Sequence, residues 1–507
     1  MVITLVIAKL QVNDYMNKNS SKSKKLSSSF DDNLKELENS FENCPDVIIK
    51  KVFFSNGKKG CFIYINGMVD IDILNRDFIK PIMGLDIPEA IKDKSIFNIS
   101  SATIRLYDDF DSIIKQLLQE NTAFIMEGVS LAVLGRFEKI ESRGIEEPEA
   151  EKNIKGPRSG FTELLTTNTA MLRRLISNTT LKFRSFKVGT TTNQTLCIAY
   201  IEGIANKSLL QTLIRKIEKI NYDGLIAIGY IEQTIMDFPH SPLPQYYATE
   251  RPDKAVAALL EGRFVILLDG TPIVLIAPVS FFSFFQALDD YSTNWMFGSF
   301  IRIVRFIAAI VAVFLPGLYI AIISFHYYMV PLNLLVTLSE SRAKVPFPPI
   351  IEALIMEITI EMIREASIRL PSYISSSIGV VGGIIIGQAA VEAGIVSNLL
   401  IIVVAATAVA SFVVPSYDFG LSLRFLRFML MIVSSIFGIV GIVVLSSLLL
   451  SELLTLESLG QPYFQPVVPF KRGGLKDTFL RFPFSFMRKR TTMTQPADDE
   501  RGTNDGQ

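Results

Sequence analysis

The chain is poor in the residues most catalytic and metal sites are made from, with three cysteines and two histidines in 507 residues. Cys44, Cys61 and Cys197 are too few and too scattered for a disulfide framework or a thiolate metal centre, which leaves core or idle thiols as the reading. His240 and His326 lie far apart, which argues against a zinc site or a Ser-His-Asp constellation. Also missing are the Gly-x-Gly-x-x-Gly turn, the Walker loop and the nucleophile elbow. Fifty basic residues balance fifty acidic ones, so no net charge calls for nucleic acid. These gaps point away from an enzyme, and no cofactor or metal is expected.

What is present is a change of composition along the chain. Up to about residue 300, charged and apolar residues mix as in ordinary globular domains; from Phe306 to Ser451 uncharged apolar runs dominate. The opening "MVITLVIAKL" has no basic residue before it and no small-residue cleavage site after it, so it reads poorly as a signal peptide. Met16 begins a polar Ser/Lys stretch and is a candidate start. Residues 1–45 are expected to be disordered, and the soluble half is expected to stay in the cytoplasm.

The soluble half reads as α/β and duplicated. "CFIYINGMVD" from Cys61 and "CIAYIEGIAN" from Cys197 repeat Cys, Tyr, Ile and Gly 136 residues apart. "LLQENTAFIMEGVSLAVL" from Leu117 and "LLEGRFVILLDGTPIVLI" from Leu259 share a helix end, an apolar strand, an acidic-Gly turn and a second strand, 142 residues apart. The expected subdomains are 46–150 and 183–300, joined by a helical linker over 151–182. In that linker Gly156-Pro157-Arg158-Ser159-Gly160 suits an anion-binding turn, but a plain linker with Arg173 and Arg174 facing solvent or a neighbouring subunit is favoured.

The second half, 301–455, reads as a helical membrane domain. A bilayer core of about 30 Å takes about 20 apolar helical residues, and Phe306–Phe325, Ser372–Val391, Ile395–Val414 and Phe428–Leu450 qualify. Pro316-Gly317 and Pro331 are expected to break the long uncharged run that begins at Phe306, leaving Leu332–Leu338 as a re-entrant piece or a fifth pass. Arg302 and Arg305 before the first span agree with a cytoplasmic soluble half, and the basic tail 456–507 leans the same way; Arg424 and Arg427 would then face outward.

Two segments carry candidate sites. Residues 350–370 read as an interfacial helix whose charged side holds Glu357, Glu361, Arg364, Glu365 and Arg369 opposite Ile355, Met356, Met362, Ile363 and Ala366. Glu352 falls within the apolar face and needs a partner, water or the helix dipole. In the Gly-rich segment, Ser375, Gly379, Gly383 and Gly387 recur every fourth residue, a small-residue face for close helix approach, and Gln388 and Glu392 continue along it. Such a helix either packs within its own chain or rings a pore in a homo-oligomer.

The segments "GPRSGFTELLTTNTAMLRR", "TERPDKAVAALLEGRFVILLDGTPIVL", "PFPPIIEALIMEITIEMIREASIRLP", "IGQAAVEAGIVSNLLIIVVAATAVASF" and "PYFQPVVPFKRGGLKDTFLRFP" closely resemble the A subunit of spore germinant receptors, the GerA family, over about residues 120–485. The resemblance implies a nutrient-gated complex in the spore inner membrane. A subunits would oligomerise there beside a transporter-like, nutrient-binding B subunit and a lipoprotein C subunit, and a path for monovalent cations would open to start germination. It makes Ser375, Gly379, Gly383, Gly387, Gln388 and Glu392 the pore-lining candidates, and Glu352, Glu357, Glu361, Arg364, Glu365 and Arg369 a coupling helix between protein and lipid. A non-conducting assembly scaffold and a secondary transporter remain alternatives; a transporter normally shows more spans and a repeat within the membrane half.

Overall fold

The structure is a computed structural model that describes residues 24–55, 57–92, 104–138, 155–370, 387–491 and 493–501, with residues 96, 148 and 151 besides. Two five-stranded antiparallel sheets come first. One is built from β1 (Val47–Phe53), β2 (Lys59–Ile65), β3 (Ile104–Tyr107), β4 (Asn121–Met126) and β5 (Ala132–Arg136); the other from β6 (Leu181–Val188), β7 (Gln194–Ile201), β8 (Tyr247–Thr249), β9 (Phe264–Leu268) and β10 (Val274–Ala277). Their strand orders are the same, β1-β2-β4-β5-β3 and β6-β7-β9-β10-β8. So is the register: Cys61 faces Ile125 and Cys197 faces Leu267, so the 136- and 142-residue offsets meet in one ladder. Tyr107 faces Ala132 as Thr249 faces Val274, both 142 apart, which puts the six-residue difference between the second and third strands of each copy. A one-residue slip would exchange the faces of every strand, so matched registers are a stringent sign of one unit used twice.

Side-chain alternation fills both faces of each sheet. In β2, Cys61, Ile63 and Ile65 join one core while Phe62 joins the other. The first of these cores also holds helix α1 (Phe30–Ser40), whose Phe30, Leu34 and Leu37 fall on one stripe and are buried. Ser29 caps it through Asp32 N. The expectation of disorder to residue 45 is therefore corrected: enough apolar spacing survives among the Ser, Lys and Glu residues to dock a helix on the sheet. Helix α2 (Phe110–Leu117) precedes β4 on the same face.

Between the sheets lies α3 (Leu165–Leu175), and here a second expectation fails. Arg173 is completely buried. Its Nε and Nη2 reach the two carboxylate oxygens of Asp46 at 2.9 and 3.0 Å, and its Nη1 donates to the carbonyls of Asn178 and Leu181. Arg174 pairs with Glu120 at 2.8 Å. Arg173 thus joins both copies to the linker, and Arg174 ties the linker to the first. Gly67 permits the approach, since its φ is +82° and an added Cβ would stand 2.7 Å from the Thr166 carbonyl. In the second copy α4 (Ile228–Ile235) and α5 (Pro252–Leu260) cover opposite faces of the sheet.

The helical half is fused to the second sheet through aromatic contacts. Phe285 stacks on Phe306 at 4.1 Å and Phe284 on Phe419 at 5.2 Å, within a core that runs from β9 to the feet of the helices. The helices are α6 (Trp295–Phe325), α7 (Leu332–Arg342), α8 (Pro349–Arg369), α9 (Gly387–Glu392), α10 (Asn398–Val413) and α11 (Tyr417–Thr455). Two, α6 and α11, are long and apolar enough to cross a membrane, and α10 is a shorter apolar helix. Pro316 does not break α6, which runs on to Phe325 and is capped by His326; one lost hydrogen bond is tolerated where neighbours hold the helix. Arg302 and Arg305 lie inside α6, not before it, and both are buried.

Helix α11 is a hairpin. Ser422 Oγ donates to the Pro242 carbonyl at 2.5 Å and Glu452 accepts from Ser241 Oγ at 2.7 Å. At about 1.5 Å per residue a straight helix would hold those two residues about 45 Å apart, whereas Ser241 and Pro242 are neighbours in the chain. The reversal is at Gly438, whose φ of 59° and ψ of −142° are not helical. A Cβ there would lie 2.9 Å from the His326 ring, so the tip meets the end of α6. The expected span Phe428–Leu450 is therefore corrected to two arms, residues 417–437 and 439–455.

The remaining directions follow from contacts. Tyr319 meets Ser397 while Ala308 and Ala312 meet Ala410, so α10 runs antiparallel to α6. Glu352 meets Ser397 and Arg364 meets Ser411, so α8 runs parallel to α10 along the bundle. The tail is not free. Tyr463 donates to the Pro244 carbonyl, and Arg481 reaches the carbonyls of Asp290 and Thr293, strapping the tail across the second sheet and the foot of α6.

Candidate functional site: a charge network inside the helical bundle

The bundle carries polar groups at three heights. At the foot, Asp290 accepts from Arg302 at 3.1 Å and Arg305 at 2.8 Å, and Arg302 also meets Asp477 of the tail at 2.8 Å. All but Asp477 are nearly sealed from solvent. This joins the second sheet, α6 and the tail through one cluster of charges.

Midway, α8 presents its carboxylates inward. Glu357 and Arg427 are fully buried and 3.0 Å apart, and the same Arg427 nitrogen is 2.9 Å from Glu361. Arg364 donates to Glu361 at 3.1 Å and to Ser411 Oγ at 3.0 Å while its guanidinium lies over the Phe412 ring. Arg424 approaches Glu361 at 3.9 Å. Three arginines thus face two glutamates between α8, α10 and α11. Buried charges persist where they are paired. The arrangement fixes which helix faces which and offers no nucleophile beside a base.

At the far end Glu352 is fully buried as well. It accepts from Ser397 N at 3.1 Å and meets Arg342 at 3.3 Å, and Ser397 Oγ is 2.9 Å from the Tyr319 hydroxyl. Glu352 therefore has the partner its position on the apolar face demanded. The helix wheel did not anticipate that α8 is buried over about half its circumference, by α6 and α10 on one side and α11 on the other. Met356, set opposite Glu357, is buried with it, while Ile355, Ile358 and Met362 are exposed. The expected lie along an interface is thereby corrected: most of the charged side faces the bundle interior and the apolar side faces out. Glu365 and Arg369 differ, pairing with each other at 2.6 Å on the exposed surface.

Of the pore-lining candidates, Ser375, Gly379 and Gly383 lie outside the described residues. Gly387 opens α9 and is buried. Gln388 donates to Glu392 at 2.9 Å, and both are exposed on this single chain. Sequence reasoning missed Arg342, Ser397, Ser411 and Tyr319, and it took Arg424 and Arg427 for outward-facing flanks. The signal was available in Arg424 and Arg427, two cations at helical spacing ahead of an apolar run. Among the described residues no group of three or more His, Cys, Asp or Glu could hold a metal ion.

Fold and network together define a class: a duplicated α/β region fused to a bundle of apolar helices with an ion-paired interior. The sequence profile of the Bacillus/Clostridium GerA spore germination protein family matches residues 35–493, and the chain belongs to that family. It is 37% identical to the uncharacterized membrane protein YfkQ of Bacillus subtilis strain 168 over 94% of this chain and 93% of that one. It is 36% identical to spore germination protein KA of the same organism, over 95% and 89%. The crystal structure of the N-terminal domain of the A subunit of the Bacillus megaterium spore germinant receptor GerK3 matches with a TM-score of 0.41 at 27% identity, covering 51% of this chain and 98% of that chain.

Proposed function

We propose that this chain is the A subunit of a nutrient receptor of the spore inner membrane, that copies of it assemble into a ring, and that the ring conducts monovalent cations when the receptor is occupied. A transporter-like, nutrient-binding B subunit and a lipoprotein C subunit are its partners, and the α/β half is cytoplasmic. The observation that carries the reading is the exposed Gln388–Glu392 pair. The carboxylates of α8 up to Glu361 are all matched within the protomer, whereas this amide and carboxylate, in an apolar stretch, face outward, as groups lining a wet axis between protomers would. The hairpin of α11 and the strapped tail support an even number of crossings, with α6 running outward, α8 and α10 inward, and the two arms of α11 outward and back. On this reading the glycines at 379 and 383 let neighbouring protomers approach, and α8, tied to α11 through Arg427, transmits nutrient occupancy as a shift between closed and open states.

Single-channel recording on the reconstituted chain and its Gly383→Leu, Gln388→Ala and Glu392→Gln variants tests the proposal. Unitary cation currents altered in size or selectivity by these changes are expected. Slow stoichiometric uptake, no current at all, or three variants that conduct as the parent does would each overturn it.

A further inference from the structure

A cavity of about 500 Å³ lies where α5, the turn before α6 and the tail come together, beside the foot of the charge network. Its walls are mixed. Ala257, Ile276, Leu288 and Met487 give it an apolar side, while Lys254, Arg263, Arg490 and Arg501 bring cations to it. Most of these cations are already matched: Lys254 pairs with Glu151 at 3.1 Å, Arg490 with Asp498 at 2.8 Å, and Arg501 with Glu261. Three donors are not. Arg263 Nε, Arg501 Nε and the Thr491 hydroxyl are enclosed with no hydrogen-bond partner among the described residues, and all three belong to residues lining this one cavity. Arg263 Nη1 donates to Ser283 Oγ at 3.3 Å. Burial pushes its guanidinium below the ordinary arginine value, against the pull of Glu261. An enclosed donor without an acceptor is unfavourable, more so when charged, so three on residues around one space point to a site that lacks its acceptor. A basic cleft of about 450 Å³ lined by Lys476, Arg488 and Lys489 adjoins it and shares Arg490, Thr491 and Arg501.

We propose that this cavity binds a small organic phosphate, its oxyanion held by Arg263, Arg501 and Thr491 and its apolar body against Ile276 and Met487. Planar guanidinium donors and a hydroxyl suit the several oxygens of a phosphate, and the volume suits a ligand of modest size. The phosphate has two conceivable sources, a soluble compound or a lipid headgroup reached from the foot of the helices. Because the cavity is also lined by Asp477 and Tyr291, which hydrogen-bond to each other at 2.6 Å, occupancy bears directly on the Asp477–Arg302 pair that anchors α6.

The test uses the full chain in phosphatidylcholine nanodiscs, titrated calorimetrically with phenyl phosphate and, separately, phenol. Phenyl phosphate is expected to bind and phenol not to. Arg263→Gln and Arg501→Gln are expected to weaken binding at least tenfold, Thr491→Val less, and Arg105→Gln on the first sheet not at all. Thr491→Val keeps the test valid if an arginine variant folds poorly. Loss of phenyl phosphate binding as phosphatidylglycerol replaces phosphatidylcholine would support a lipid source, and undiminished binding a soluble one. Absence of binding both in phosphatidylcholine nanodiscs and in phosphate-free dodecyl maltoside micelles, equal binding of phenol, or parental affinity in both arginine variants would overturn the proposal; none of these outcomes involves conductance.

Discussion

Arg427→Met is the sharpest perturbation of the bundle. At 3.0 Å and an effective dielectric of about 20, Arg427 and Glu357 attract by about 5 kcal/mol, a gain offset by removing both from water. Taking away the cation alone leaves that desolvation uncompensated. Glu361 keeps Arg364 at 3.1 Å, but Glu357 has no other ion pair within 4 Å among the described residues. The expected loss is therefore about 3–5 kcal/mol. Glu357→Met should cost less, about 1–3 kcal/mol, because Arg427 retains Glu361 at 2.9 Å. The double variant replaces the fully buried pair with two apolar side chains and should recover most of the loss. Unfolding of all four proteins in mixed micelles, read by circular dichroism against denaturant mole fraction, gives the coupling energy, expected at about 2 kcal/mol or more. Additive losses in the double variant would refute the idea that an orphaned carboxylate, and not lost packing volume, sets the cost.

Arg173→Lys cannot reproduce the two-pronged contact with Asp46, and should destabilise the chain by about 2–4 kcal/mol and open the linker between the sheets to limited proteolysis. Gly438→Ala places a Cβ at a φ of 59° against the His326 ring, and a loss of about 1–3 kcal/mol is expected in the same micelle assay. Burial, then Asp418, raises the Glu232 carboxyl in α4 from 4.5 to about 7. Its folded pKa lies above the unfolded one, so its favourable contribution is complete below about 4.5 and is lost as pH rises through about 7. Glu232→Gln should therefore gain thermal stability over the parent as pH climbs from 5 to 8; an advantage independent of pH would contradict the assignment.

The two Cys-x-x-Tyr strands and the two acidic-Gly turns were enough to predict a repeated α/β unit, because strand alternation and turn chemistry are local and survive in the chain as spacing. The apolar run that begins at Phe306 likewise declared a helix of bilayer length. What spacing does not encode is which face of a helix meets protein. The stripe of Glu357, Glu361 and Arg364 was legible, yet only its packing against Arg427 and Ser411 turns it from an outward surface into an interior. The same holds at Gly438: a glycine in an apolar run is ambiguous until Ser422 and Glu452 are found on adjacent residues of another domain. Long-range contacts also decided that the basic tail is a strap and that Arg173 is a clamp, since an ion pair across more than a hundred residues leaves no periodicity to read. Sequence by itself determined the strand–turn–strand units and their repetition; tertiary structure decided where helices dock and reverse and what each charge faces, because packing and pairing energies depend on distance in space and not on distance along the chain.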